Sequence, residues 1–160
     1  MIAFISPENA AAPGDSPGEP VLKVENLCCD FLTVEGIVYA LSGVNLSISR
    51  AEIHGLVGES GCGKSVSSRA IMGLLDKKHS RTKGIVRFDG RNLLALSERE
   101  LRDIRGKRIS MIFQDPLNSL SPLDMVGKQI AEAISNHRKL TKKELGKRTA
   151  TLLDRVGLHP

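Results

Sequence analysis

Residues 58–65, GESGCGKS, constrain this chain more than any other stretch. They fit the spacing Gly, four residues, Gly, Lys, then Ser or Thr. Gly58, Gly61 and Gly63 let the backbone turn tightly and approach a ligand with no Cβ in the way. Successive N–H groups in such a loop form an anion-binding concavity at the positive end of the following helix. Lys64 adds a point charge suited to β- and γ-phosphates, and Ser65 offers a hydroxyl to Mg²⁺. The stretch before the loop, residues 53–57 (IHGLV), reads as a short buried strand. Residues 64–75 contain no Pro and read as a helix broken near its end by Gly73. Strand, glycine loop and helix together are the context that favours phosphate binding over a chance glycine turn.

Composition narrows the partners. A chain of 160 residues is one domain or part of one. Apolar residues make up 41% and charged residues 26%, enough to bury an ordinary core. The net charge of +5 suits polyphosphates, an anionic membrane surface or nucleic acid. Aromatic residues are only 3%, which argues against stacked single-stranded nucleic acid. Nucleic acid is therefore not expected as a partner. Cys28, Cys29 and Cys62 fit neither a disulfide framework nor a metal-binding spacing, so reduced thiols in a cytosolic setting are expected. No apolar run reaches the length of a membrane span, and the first residues do not resemble a signal peptide.

Along the chain, residues 1–20 hold four prolines and read as a disordered leader. Val21, Leu22, Val24 and Leu27 begin a strand leading to Phe31. Glu35-Gly36 reads as a turn, and residues 38–48 as a second strand. Residues 84–88 form a strand closed by the hairpin-type turn Asp89-Gly90. Ser97 and Glu100 make a capping box, so a short helix begins at Ser97. Residues 108–113 form another strand, ended by Pro116. Asp124 is placed to cap a helix carrying Val126, Ile130, Ala133 and Ile134. Thr141 and Glu144 form a second capping box, opening a basic helix with Leu145, Leu152, Leu153 and Val156 on one side.

These residues resemble a known family. GLVGESGCGKS (residues 55–65), VSSRAIMGLL and MIFQDPLNSLSP (residues 111–122) look like the ATP-binding subunit of an ABC transporter. They are most similar to the subunits that power peptide and nickel importers. The resemblance runs from about Val21 to Pro160. It implies an α/β fold: a P-loop NTPase of the ABC nucleotide-binding type, with an antiparallel N-terminal part. The implied division is a core over residues 21–121 and the start of a helical subdomain over 122–160. ATP would be held by Gly58, Glu59, Ser60, Gly61, Cys62, Gly63, Lys64, Ser65 and Val66. Gln114, 50 residues after Lys64, matches the family's Q-loop glutamine. There it ligates Mg²⁺ or the attacking water and links the site to the membrane subunits. Lys64 and Gln114 would thus serve catalysis, and Ser65 and Gln114 the metal. The family also stacks an aromatic on adenine. Phe31 matches by its distance from the first strand, Tyr39 by closeness to the second. Phe31 is preferred, with a core role open for either. Cys62 fills a variable position of the loop.

The resemblance further implies ATP hydrolysis, permease partners and a second nucleotide-binding subunit, homo- or heterodimeric. It implies a peripheral place on the cytoplasmic face of the plasma membrane. The family's later elements do not occur in these 160 residues. There is no signature near LSGGQ and no apolar strand ending in Asp-Glu, and His159 does not match the switch histidine. Ala51 stands where a Gly often precedes Glu52. The chain is expected to span the first half of such a domain and to be inactive alone. The alternative is a non-catalytic binder of nucleotide or partner subunits. A small P-loop kinase would need a basic lid, and Arg138, Lys139, Lys142 and Lys143 suit a solvated helix face better.

Overall fold

The computed structural model describes residues 2–4, 20–113 and 119–158. They fall into two compact units, Ser6–Arg102 and Met1–Ile5 with Asp103–Pro160. The boundary expected at residues 121–122 lies inside the second of these.

The first unit is built on an antiparallel sheet. Its strands are β2 (Leu22–Thr33), β3 (Gly36–Ile48), β4 (Ser80–Phe88) and β5 (Arg91–Asn92), in the order β3-β2-β4-β5. Leu22, Val24, Leu27 and Cys29 of β2 are fully buried with Val86 of β4. Each large side chain among them contributes roughly 1.5–3 kcal/mol by leaving water. The buried positions change phase between Val24 and Leu27, and a bulge explains it. Asn26 has a left-handed φ of 49°, and two residues of β2 stand opposite the single Gly84 of β4. Gly84 is required there, because a Cβ would lie 2.6 Å from the Asn26 carbonyl oxygen. The extra residue returns Leu27 and Cys29 to the core face.

The Asp89-Gly90 turn forms as expected, whereas the turn expected at Glu35-Gly36 lies one residue earlier, with Gly36 already in β3. β2 and β3 meet through Val34 and Glu35, with Thr33 Oγ1 donating to the Gly36 carbonyl at 2.8 Å. β4 and β5 meet through Asp89 and Gly90, both at positive φ, as a two-residue hairpin of this type demands. Arg50 ties the end of β3 to this turn through a 2.7 Å ion pair with Asp89.

One expected strand and one expected helix differ from the structure here. Residues 53–57 form no strand, and Ile53, Leu56 and Val57 are exposed rather than buried. The reason is pairing: an apolar run becomes a buried strand only between hydrogen-bonded neighbours, and no described strand lies beside it. The helix after the loop is also shorter than expected. α1 spans Lys64–Ile71 and closes at Gly73, whose φ is 62°. Gly73 N–H bonds the Ala70 carbonyl and Leu74 N–H the Arg69 carbonyl, the paired bonds of a Schellman stop.

A 3₁₀ turn, Leu93–Ala95, leads to α2, Glu98–Ile104. The capping box at Ser97 is present: the Glu100 carboxylate accepts from Ser97 N–H at 2.9 Å and Oγ at 2.7 Å. These bonds hold the Glu100 carboxyl below its ordinary pKa.

In the second unit, β6 (Ile109–Met111) pairs antiparallel with β1 (Ile2–Phe4). β1 occupies part of the stretch read as a disordered leader; three apolar residues supply a backbone partner to the edge of β6. Residues 5–19 of that leader lie outside the described residues. β6 is shorter than the strand expected over 108–113, and Ile112 and Phe113 are exposed.

Two helices follow, α3 (Val126–Ser135) and α4 (Lys142–Arg155). Asp124 does not cap α3. Met125 is the cap residue, while Asp124 pairs with Lys128 at 2.7 Å. Its carboxylate finds a full cation one turn on, a stronger partner than a backbone N–H. The capping box of α4 forms as read, with Thr141 and Glu144 bonding reciprocally. α3 and α4 pack where Gly127 faces Thr149 and Leu153, each 3.8 Å from the position its Cβ would take. Thr149 and Leu153 belong to the face that carries Leu145 and Leu152, whereas Val156 is exposed.

Ala51 generates a stability prediction. Its φ is 58°, a conformation that costs a residue with a Cβ roughly 1–2 kcal/mol. Ala51→Gly removes that strain and adds some unfolded-state entropy. The variant is expected to gain about 1 kcal/mol in urea denaturation, whereas unchanged or lower stability would refute the strain.

Candidate functional site

The glycine loop lies within the first unit, between β3 and α1. Its entry is shaped by Glu52, whose carboxylate accepts from Ser49 N–H at 2.7 Å and contacts His54 Nδ1 at 3.3 Å. The Ser49 backbone bond, then His54, holds the Glu52 carboxyl below its ordinary pKa. Its exit is fixed by Gly63, the residue before α1, at φ 91°. A Cβ on Gly63 would lie 2.9 Å from Leu41 Cδ2 and 3.1 Å from the Ala40 carbonyl oxygen. No other residue could take both that φ and that contact. The start of α1 is thereby set against β3.

Lys64 folds back over the loop. Its Nζ donates to the Gly58 carbonyl at 2.6 Å and the Glu59 carbonyl at 2.5 Å, and lies 3.3 Å from Cys62 Sγ. Gly58 faces the same thiol, for a Cβ there would come within 2.7 Å of Cys62 Sγ. Cys62, expected among the loop residues that hold ATP, packs against the Gly58 backbone beside the ammonium. Gly61 is at φ 83° with open space around it, and Ser65 is exposed in the first turn of α1. Glu59 and Ser60 are exposed too, and Val66 is half-buried.

This cradle fits a polyphosphate and its cation. The first N–H groups of α1 have no acceptor within the helix. Two glycines stand where a Cβ would collide, and one ammonium is held at the loop by two backbone carbonyls and the Cys62 sulfur. Phosphate oxygens would replace those carbonyls as stronger, charged acceptors. Ser65 could supply an oxygen to Mg²⁺. Gln114, its expected partner in metal binding and catalysis, is one of residues 114–118 and lies outside the described residues.

Phe31 and Tyr39 separate by strand register. Phe31 pairs with Val38 and Tyr39 with Asp30, so the two rings lie on opposite faces of the sheet. Phe31 shares its face with Cys29 and with Leu41, the residue against Gly63. It is half-buried, whereas Tyr39 is 76% exposed on the other face. Periodicity alone could not separate them, because the register slips between Cys29 and Asp30, where Ala40 is the extra residue of β3.

A glycine loop of this spacing, opening a helix and closed over by its lysine, defines a P-loop domain. The sequence profile of the ABC transporter family matches residues 41–160, and the chain belongs to that family. It is 50% identical over 125 residues to "Probable peptide ABC transporter ATP-binding protein y4tR" of Sinorhizobium fredii. That match covers 78% of this chain and 37% of the relative. It is 45% identical over 141 residues to the dipeptide transport ATP-binding protein DppD of Bacillus subtilis, covering 88% of this chain and 42% of the relative. The chain thus spans about two fifths of the length of these relatives. Its fold is similar to the dimeric bacterial ABC transporter cassette MJ0796, with a TM-score of 0.70 at 29% identity, covering 85% of this chain and 57% of that one. The fold is an incomplete P-loop domain of the ABC type, with its antiparallel sheet and helices.

The packing of Cys62 on Gly58 gives a coupled prediction. Gly58→Ala should weaken MgATP binding by about 1–2 kcal/mol, through displacement of the thiol and the loop around it. Adding Cys62→Ala should recover most of that loss, as residues in contact are not additive. Calorimetric titration of the four proteins measures the coupling, and strict additivity would show that the contact is unimportant.

The faces of the sheet give another. Base–aromatic stacking is worth about 1–3 kcal/mol by alanine substitution. Phe31→Ala is expected to weaken ATP by that amount while sparing inorganic triphosphate, which has no base. Tyr39→Ala should leave both unchanged. A selective loss of ATP in Tyr39→Ala instead would reverse the assignment.

Proposed function

We propose that this chain is the ATP-binding portion of an ATPase subunit that couples ATP hydrolysis to import of peptides or a related solute. One observation carries the reading: the Lys64 ammonium sits on the Gly58 and Glu59 carbonyls, in a loop where Gly58 and Gly63 leave no room for a Cβ. Membership of the ABC transporter family supports ATP as the ligand, and the names of the relatives support peptides as the solute.

In this reading the backbone of residues 58–66 receives the phosphates and Lys64 neutralises the β- and γ-oxygens. Mg²⁺, when bound, bridges phosphate oxygens and draws off their charge. Ser65 and Gln114 would hold it, Gln114 also positioning the attacking water, and Phe31 would stack on the base. Residues 21–121 make the ATP-binding core, and residues 122–160 open the helical subdomain. Partners would be the transmembrane permease subunits and a second nucleotide-binding subunit, identical or not. The place of action would be the cytoplasmic face of the plasma membrane. Among the described residues no helix is long and apolar enough to cross a membrane.

Binding and turnover make different demands. Binding needs the glycine cradle, Lys64 and Ser65. Turnover also needs a carboxylate to polarise water and donors aimed at the transition-state charge. No Asp-Glu strand and no LSGGQ-like signature occur in the 160 residues. The 160-residue polypeptide is expected to bind MgATP without releasing phosphate above background. Lys64→Ala should lose about 2 kcal/mol of that binding, as a charge-assisted contact does. Calorimetry and a phosphate-release assay, beside a chain extended through any downstream Asp-Glu strand, make the test. Lys64-dependent hydrolysis by the 160 residues alone would overturn the division of labour, and unchanged ATP affinity in Lys64→Ala would overturn the site.

A further inference from the structure

The turn between α3 and α4, with the first two turns of α4, carries an unusual charge arrangement. Arg138, Lys139, Lys142, Lys143, Lys147 and Arg148 all lie in this stretch and all are exposed. None of the six makes an ion pair among the described residues. The one carboxylate within the stretch, Glu144, accepts from Thr141 N–H at 2.9 Å and Thr141 Oγ1 at 2.7 Å. Those bonds hold it ionised and turned toward the cap rather than toward a lysine. On α3 the nearest acid in sequence is Glu132, likewise exposed, so the six cations have only these two carboxylates nearby in sequence.

Their position adds a second, independent argument. Lys142 and Lys143 open α4, where the helix dipole is positive and cations destabilise. Lys143 and Lys147 stand four residues apart within α4, which sets like charges side by side. A sequence selected only for a stable helix would place acids there. Departures from local rules without a structural return concentrate at functional surfaces. Leu140 is exposed and stands between Lys139 and Lys142 in sequence, so the turn offers an apolar residue flanked by cations.

We infer that this tip binds anionic phospholipid headgroups directly. Cations flanking an exposed apolar residue match a negatively charged interface, where headgroup charge and a shallow apolar layer lie together. Phe, Tyr and Trp, on which nucleic-acid bases stack best, are absent from residues 136–148. The inference does not depend on the nucleotide site. It adds a lipid contact made by this chain itself, beside any contact made through permease subunits.

The test is sedimentation of the 160-residue protein with vesicles. One set is pure phosphatidylcholine; the other contains one third phosphatidylglycerol. Binding is expected only to the second set and should fall steeply with added salt. Replacing Lys139→Glu, Lys142→Glu and Lys143→Glu together should lower vesicle affinity by about a hundredfold. The dipole predicts that acids at Lys142 and Lys143 strengthen α4, so loss of binding cannot be assigned to loss of the helix; circular dichroism checks this. Lys64→Ala should bind vesicles like the parent, which keeps this result separate from that of the nucleotide site. Equal binding to both lipids, undiminished binding by the triple variant, or stronger retention on a DNA oligonucleotide than on vesicles would each overturn the assignment.

Discussion

The contact between Gly63 and β3 is the point on which the site depends. An antiparallel sheet fixes Ala40 and Leu41 through hydrogen bonds to β2. Gly63 comes so close to them that its missing Cβ is the reason the approach exists. The first turn of α1, with Lys64 and Ser65, takes its place from that contact. The start of the helix is therefore anchored to a sheet whose own order is set by ordinary core burial. The loop before Gly63 has no comparable anchor, and its shape comes from within: Lys64 on two carbonyls, and Cys62 against Gly58.

This split explains how much could be read from the residues. The capping boxes at Ser97 and Thr141 and the Asp89-Gly90 turn rest on groups two or three positions apart. Local chemistry decided them, and the structure has all three. The stretch 53–57 depends on partners far away in sequence. Its apolar composition was legible, but a strand is a relation between segments, and no described segment supplies it. The length of α1 lay between these cases. Gly73 was visible as a breaker, yet the Schellman bonds that stop the helix at Ile71 needed the backbone to be seen. Asp124 was misread because an N-cap residue and an i,i+4 ion-pair partner look alike in sequence. For the candidate site, spacing singled out residues 58–65, and the structure sets them in one turn leading into α1. The faces of Phe31 and Tyr39 were not legible, because one extra residue in β3 reverses the alternation.

Backbone strain marks where this sequence departs from the easiest solution. Asn26 and Asp89 adopt positive φ with side chains that tolerate it, but Ala51 does not have that excuse. It sits just before Glu52, whose carboxylate holds Ser49 N–H across the turn. That bond closes the connection from β3 toward the glycine loop across Arg50 and Ala51, and of these two Ala51 takes the left-handed conformation. The turn is held at its ends, and Ala51 bears the cost.

The arrangement of Lys64 has a consequence for ligand choice. An ammonium on neutral carbonyls is satisfied but not strongly bound, since charge-assisted bonds to anionic oxygen are about twice as strong as bonds between neutral groups. A neutral ligand would have to displace the carbonyls and offer nothing better. A single carboxylate could take the ammonium but could not also reach the N–H groups opening α1. A chain of phosphates does both, exchanging each internal bond for a stronger one while leaving the glycine backbone where it lies. The loop thus keeps its lysine occupied in a way that only a polyanion of some length improves upon. Selectivity here follows from the difference between two sets of acceptors, not from the lysine charge alone.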